Sequence, residues 1–234
     1  MVSILSDHLG IVMTRKKTGV YKRARQAKKR PPSLKHVENG LYFDFEGFGK
    51  NSYQLFPPPV LCGYRFGGKG PVSHAVFNKD YRWAAESDTS GRVSYVGNQN
   101  RKDFLMDLLD KQTRGGKKIF FFSGHEPRCF KGILGINIQK RLKDLLPVMK
   151  KKYPELTRGN RTLIGYCKLC GIDVPKDYGK GRVTEKFRNV REYSRTRSGW
   201  IKAPNKIKRQ WELLLDHNRF DVECMYDLAK KSVN

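Results

Sequence analysis

Residues 41–49 read LYFDFEGFG. Along a strand, successive side chains point to opposite faces. Leu41, Phe43 and Phe45 therefore share one face, and Tyr42, Asp44 and Glu46 share the other. Two carboxylates stand side by side in what is otherwise a core strand. They repel each other, and burying both is costly unless a positive group lies between them. A divalent cation removes that cost. Mg²⁺ or Mn²⁺ takes oxygen ligands and keeps positions for water and phosphate oxygens. An edge strand with a solvated polar face fits the same alternation, so the stretch fixes a strand and leaves its chemistry open.

Other segments supply layers around this strand. PPVLCGYRFGG (58–68) reads as a second strand ended by glycines, and PVSHAVFN (71–78) as a third, giving an antiparallel meander. Asn98 is placed to cap a helix running to Thr113, with Phe104, Leu105, Leu108 and Leu109 as its apolar face. KKIFFFSG (117–124) is a short apolar strand expected to be buried on both faces. Helical segments are expected at 127–135, at 138–152 around Pro147, and at 161–171. Residues 171–187 read as a polar loop and 188–205 as a basic, irregular stretch. A last helix, 206–232, carries Ile207, Trp211, Leu214, Leu215, Val222, Met225 and Leu228 at helical spacing. The order describes an α/β layer fold.

Composition bounds the partners. The chain has 234 residues, enough for one large domain or a domain with an arm. Forty-eight Lys and Arg face twenty-two Asp and Glu, a formal charge of +26. Such an excess repels itself unless a polyanion neutralises it, and nucleic acid is the expected partner. An anionic membrane surface and a generic soluble basic protein are the blander alternatives. No run of about 18 apolar residues occurs, so no membrane span is expected. The N-terminal MVSILSDHLGIVM lacks the basic start and cleavage site of a signal peptide. Five irregularly spaced cysteines fit a reducing intracellular compartment better than a disulfide framework. Cys167 and Cys170 have no second pair at zinc-finger spacing and read more simply as small apolar helix residues.

Residues 1–37 are expected to form a basic arm, and 38–234 the folded domain. The arm's Arg15, Lys16, Lys17, Lys22, Arg23, Arg25, Lys28, Lys29 and Arg30 would grip phosphates without reading sequence. A localisation signal or a solubility tail fits the same composition. Near the other end, the Arg and Lys of 176–209, among them Arg188, Arg191, Arg195 and Arg197, alternate with Phe187, Tyr193 and Trp200. Cations holding phosphates while aromatics stack on bases would guide a single strand. A solvated basic loop fits equally.

Two further acids stand out. Asp221 lies seven residues past Leu214, at nearly the same angle on a helix that turns about 100° per residue. It therefore falls on the core-facing side, with His217 one turn before it. Glu126, in FFFSGHEPRCF (120–130), follows the apolar strand and precedes Pro127, a residue suited to a first helical turn. That is the carboxyl end of a strand, where open α/β sheets keep their sites. A helix-edge acid paired with Arg or Lys, and an acid favouring a helix dipole, are the bland readings of Asp221 and Glu126.

Taken in order, DFEG, FFFSGHEPRCF and DHNRFDVECMYDL resemble the three motifs of the DEDD superfamily of 3′–5′ exonucleases, which have a ribonuclease-H-like fold. The closest likeness is to the predicted ribonuclease-H-like nucleases linked to RecB-type proteins. There, a stretch similar to KDLLPVMKKKYPELTRGNRTLIGYCKLCGIDVP (143–175) separates the second and third motifs. The resemblance spans about residues 38–232. It implies a mixed sheet, an antiparallel meander plus a parallel strand, flanked by helices. It also implies two-metal phosphodiester hydrolysis, with Asp44, Glu46, Glu126 and Asp221 holding two Mg²⁺ or Mn²⁺ ions and His217 as general base. No organic cofactor is implied. The chain departs from the pattern by having Glu126 where the second motif usually has Asp, with Asp144 as the substitute candidate. It also has three residues between His217 and Asp221, so that His217 is either the general base or a residue standing where the family's tyrosine would. Two rivals stay open: a non-catalytic nucleic-acid-binding protein on the same fold, and a structure-selective endonuclease or resolvase.

Overall fold

The computed structural model describes residues 30–48, 58–68, 70–113, 117–122, 124–135, 141–176, 178 and 182–233. The strands are β1 (Leu41–Glu46), β2 (Leu61–Phe66), β3 (Ser73–Val76), β4 (Val93–Tyr95), β5 (Ile119–Phe121) and β6 (Leu142–Asp144). The helices are α1 (Leu34–Glu38), α2 (Arg82–Glu86), α3 (Gly97–Thr113), α4 (His125–Leu134), α5 (Leu145–Lys152), α6 (Leu163–Leu169), α7 (Arg182–Ser194), α8 (Arg197–Ile201) and α9 (Asn205–Val233). Among the described residues, the six strands make one mixed sheet in the order β4-β3-β2-β1-β5-β6. β1, β2 and β3 form an antiparallel meander, while β1–β5, β5–β6 and β3–β4 pair in parallel. The molecule is thus an α/β fold with helices on both faces of its sheet.

The alternation in β1 decides which layer covers which face. Leu41, Phe43 and Phe45 pack with Leu105 and Leu109 of α3 and Phe130 of α4. Phe43 and Phe130 meet edge to face with ring centroids 4.8 Å apart, a favoured aromatic geometry. Tyr42 faces the opposite layer with Phe120, Val222 and Met225. β5 splits in the same way, Ile119 and Phe121 to the first layer and Phe120 to the second, so it is buried on both faces as expected. The second layer is organised by α9, a 29-residue helix about 44 Å long at 1.5 Å per residue. Trp211 and Leu214 pack with α7 and α8, Val222 and Met225 pack behind β1, and Cys224 and Leu228 meet α6.

Several expected boundaries are corrected. Val37 is fully buried and the Tyr42 hydroxyl donates to its carbonyl at 2.6 Å. The folded region therefore reaches back past residue 38 to α1, whose N-cap is Ser33. The α3 helix opens at Gly97, so Asn98 lies inside it rather than before it. Residues 138–152 are not one helix: β6 occupies 142–144, and Asp144 then caps α5 by accepting the Leu146 N–H at 2.9 Å. Residues 182–201, read as loop and irregular chain, are α7 and α8. The apolar face of α7 is narrow, with Phe187 and Val190 fully buried, Val183 and Tyr193 partly so, and the buried Ser194 beside them, among charged neighbours. β4 was not expected at all. Among the described residues, no helix is long and apolar enough to cross a membrane.

Candidate metal centre

The acids converge where β1, the start of α4 and the middle of α9 meet. β1 carries Asp44 and Glu46 at its carboxyl end. Glu126 lies in the first turn of α4, just past β5. Pro127 is accommodated there because a first-turn N–H has no helical partner to lose. α9 brings His217 and Asp221 onto the same side one turn apart. His217 Nε2 lies 3.4 Å from Glu46 Oε1 and 3.5 Å from Asp221 Oδ2. One ligand atom from each of Glu46, His217 and Asp221 falls within 4.8 Å of the others. These three side chains keep 16%, 17% and 15% exposure, so the cluster is sunk in the fold yet open to a small solute. Glu126 is only 3% exposed, and its Oε2 has no hydrogen-bond partner.

Burial dominates the electrostatics. It pushes the Asp44 carboxyl up to about 7, opposed in part by a hydrogen bond from Asn218. Glu46, Glu126 and Asp221 are likewise held well above the usual carboxylate range, first by burial and next by the charge of Asp44. The four acids are thus neighbours that disfavour each other's ionisation. Burial, aided by the Lys186 cation, pushes His217 down to about 4, so its imidazole is neutral at pH 7. Carboxylate oxygens suit a hard divalent ion such as Mg²⁺ or Mn²⁺, and the neutral imidazole beside them is a group able to take up a proton. The orphaned Glu126 oxygen and the absence of a Lys or Arg pairing with Glu46 or Asp221 among the described residues fit that donor set.

Three surrounding residues were not singled out from the sequence. Asn218 is fully buried, and its Nδ2 donates to Asp44 Oδ2 at 2.8 Å and to the Asp44 carbonyl at 3.3 Å. Gly63 stands opposite Asp44 in the β1–β2 register. Tyr178 stacks on the His217 ring, with centroids 4.6 Å apart and planes 19° apart, and leans on Phe220. Its hydroxyl donates to the Asp216 carbonyl. An amide in the apolar stripe between Leu214 and Val222 is a readable sign of a buried hydrogen bond. Nothing in the sequence around Tyr178 points to His217.

The remaining predicted residues are placed as follows. Asp144 caps α5, and its charge reaches Glu126. Trp200 is only 6% exposed and donates its indole N–H to Ser87 Oγ at 2.7 Å. It is a core residue, as is the fully buried Phe187, and the expected stacking of both on bases is corrected. Tyr193 is half-buried against the same core. Arg191 Nε pairs with Asp80 Oδ2 at 2.6 Å, with Arg195 at 3.7 Å from the same oxygen. Arg197 lies over the Trp83 ring, and Arg188 is exposed. Arg30 is exposed, and its carbonyl accepts from Lys143 Nζ at 2.5 Å. Arg15, Lys16, Lys17, Lys22, Arg23, Arg25, Lys28 and Lys29 lie outside the described residues. A cavity of about 640 Å³ borders the Glu126 turn, lined by Arg30, Lys118, Phe121, Arg128 and Lys143 among others.

Comparison with known proteins gives no match: no family model, curated protein or solved structure is similar to the chain.

Proposed function

We propose that the protein is a metal-dependent nuclease hydrolysing phosphodiester bonds, a 3′–5′ exonuclease built on a ribonuclease-H-like sheet. The observation that carries this reading is the meeting of Asp44, Glu46, Glu126 and Asp221, from three distant segments, in one buried and mutually repelling group. The sheet supports it. The β1–β2–β3 meander joined through β1 to the parallel β5 is compatible with the sheet the resemblance implies, with β6 and β4 added at its two edges.

Asp44, Glu46, Glu126 and Asp221 would hold two divalent ions, with His217 beside them. Such ions supply Lewis-acid stabilisation of a phosphate and ease ionisation of water. The chain's own part is to orient those oxygens, to keep bulk water out, and to receive a proton. His217 Nε2, neutral at pH 7 and facing Glu46 and Asp221, is placed to accept the proton of an attacking water. The cavity beside Glu126, lined by Arg30, Lys118, Arg128 and Lys143 together with Asp144, carries cations suited to the phosphates of a strand end.

The test uses end-labelled linear strands and closed circles, DNA and RNA, with Mg²⁺ or Mn²⁺. The expected outcome is stepwise shortening of linear strands from the 3′ end, intact circles, and no activity in Asp44→Ala. Nicked circles would move the reading to an endonuclease. Strand binding without cleavage under every metal would leave only the binding protein.

A further inference from the structure

We propose that Asn218 is the positioning residue of the acid cluster, fixing the Asp44 carboxylate for cation binding, and that Gly63 is glycine in order to admit it. This rests on the metal-centre reading above.

Three local features are each unfavourable alone. Asn218 is a fully buried amide on the apolar face of α9, between buried Leu214 and Val222. Desolvating an amide is costly unless hydrogen bonds replace water. Its Oδ1 is buried and has no partner. Gly63 sits inside β2, where a missing side chain weakens a strand.

One interaction accounts for all three. Both Asp44 atoms that Asn218 meets, the carbonyl oxygen and Oδ2, can only accept once the carboxylate is ionised, so the NH₂ end of the amide faces β1. Oδ1 is then turned toward Gly63. A Cβ on residue 63 would lie 1.9 Å from Oδ1 and 2.8 Å from Cγ of Asn218, inside contact distance. No residue but glycine leaves the amide its place. The single Nδ2 grips Asp44 at both its backbone and its carboxylate, which fixes the side chain's rotation and leaves Oδ1 of Asp44 for an ion. Groups that orient a ligand carboxylate in this way govern metal affinity without touching the metal.

The test is Mn²⁺ binding by calorimetry on the full chain, paired with thermal melting in chelator. Asn218→Ala and Gly63→Ala are each expected to weaken Mn²⁺ binding about 10–100-fold. The double variant separates positioning from packing. Once Asn218 is alanine, the methyl at 63 fills the vacated space, its remaining close neighbour being Val222 Cγ2 at 3.3 Å. The double variant should therefore melt above Gly63→Ala while binding Mn²⁺ no better than Asn218→Ala, a non-additive pair. It also carries the test if a single variant does not fold. Wild-type Mn²⁺ affinity in the double variant overturns the proposal. Absence of Mn²⁺ uptake by the wild type overturns the metal-centre reading with it.

Discussion

Asp44 is the residue on which most of the electrostatics converges, and its ionisation makes a stability prediction. Its folded value, about 7, lies above the unfolded value near 3.9. A carboxyl raised on folding contributes stability that is complete below the unfolded value and is lost as pH rises through the folded one. Glu46, Glu126 and Asp221 are shifted in the same sense. His217 and His74, both pushed down to about 4 by burial, act oppositely, and their effect is complete above about 6.5. Between pH 6.5 and 8.5 the slope therefore reports the acids. In chelator the melting temperature should fall across that window, Asp44 alone contributing on the order of 1 kcal/mol there because most of its loss falls between about pH 4 and 7. Asp44→Asn should flatten the fall, and saturating Mn²⁺ should remove it in the wild type but not in the variant. A melting temperature independent of pH in chelator would contradict the shared burial of these acids. Tyr178 gives a second residue-scale expectation. Tyr178→Phe keeps the stack on His217 and should hold nuclease turnover within about threefold, whereas Tyr178→Ala frees the imidazole and should lower it about tenfold, within the range of a general base's contribution.

At the scale of elements, legibility followed periodicity. β1 and α9 were readable because their patterns are long and regular: alternation from Leu41 to Glu46, and a stripe from Trp211 to Leu228. Those two elements carry Asp44, Glu46, His217 and Asp221, so most of the candidate site was legible too. β4 and β6 were not, since a three-residue strand shows no period and both lie at the edges of the sheet. α7 was hidden by its charged surface, and its buried residues announce themselves only once α9 is there to receive them. Asp144 shows what a missed boundary costs. Read inside a long helix, it is a spare ligand; at the end of β6 and just before α5, it is a cap. Asp144→Ala should thus lower stability by about 1 kcal/mol, and Asp144→Asn, which keeps an accepting oxygen, should restore most of it. Mn²⁺ affinity should change less than threefold in either variant, measured by the same titration. A loss as large as that of Asp44→Ala would make Asp144 a ligand after all.

At the scale of the whole molecule, a net charge of +26 surrounds an acidic centre. The two signs have separate tasks under the proposed function: the acids hold ions, and the surrounding cations hold a polyanion close enough for those ions to reach it. Exposed Arg188, Arg195 and Arg197 lie on or beside α7, which also carries Lys186 toward His217. The cavity on the other side of the centre adds Arg30, Lys118, Arg128 and Lys143. Residues 14–29 hold a further group of cations, including Arg15, Lys16, Lys17, Lys22, Arg23, Arg25, Lys28 and Lys29. Their contribution can be tested by truncation, because a cut after residue 29 leaves α1, its Ser33 cap and the buried Val37 in the chain. Binding of a labelled single strand should weaken linearly on a log–log plot against salt, with a slope of about −0.7 per phosphate contacted. Removing residues 1–29 should make the slope shallower by several such contacts and raise KM, while kcat and the melting temperature stay near wild type. Substituting Arg188 and Arg197 together by alanine should weaken binding at every sequence alike, since phosphate contacts carry no sequence information. An unchanged slope after truncation would mean that the arm's charge serves a different partner from the strand at the acidic centre.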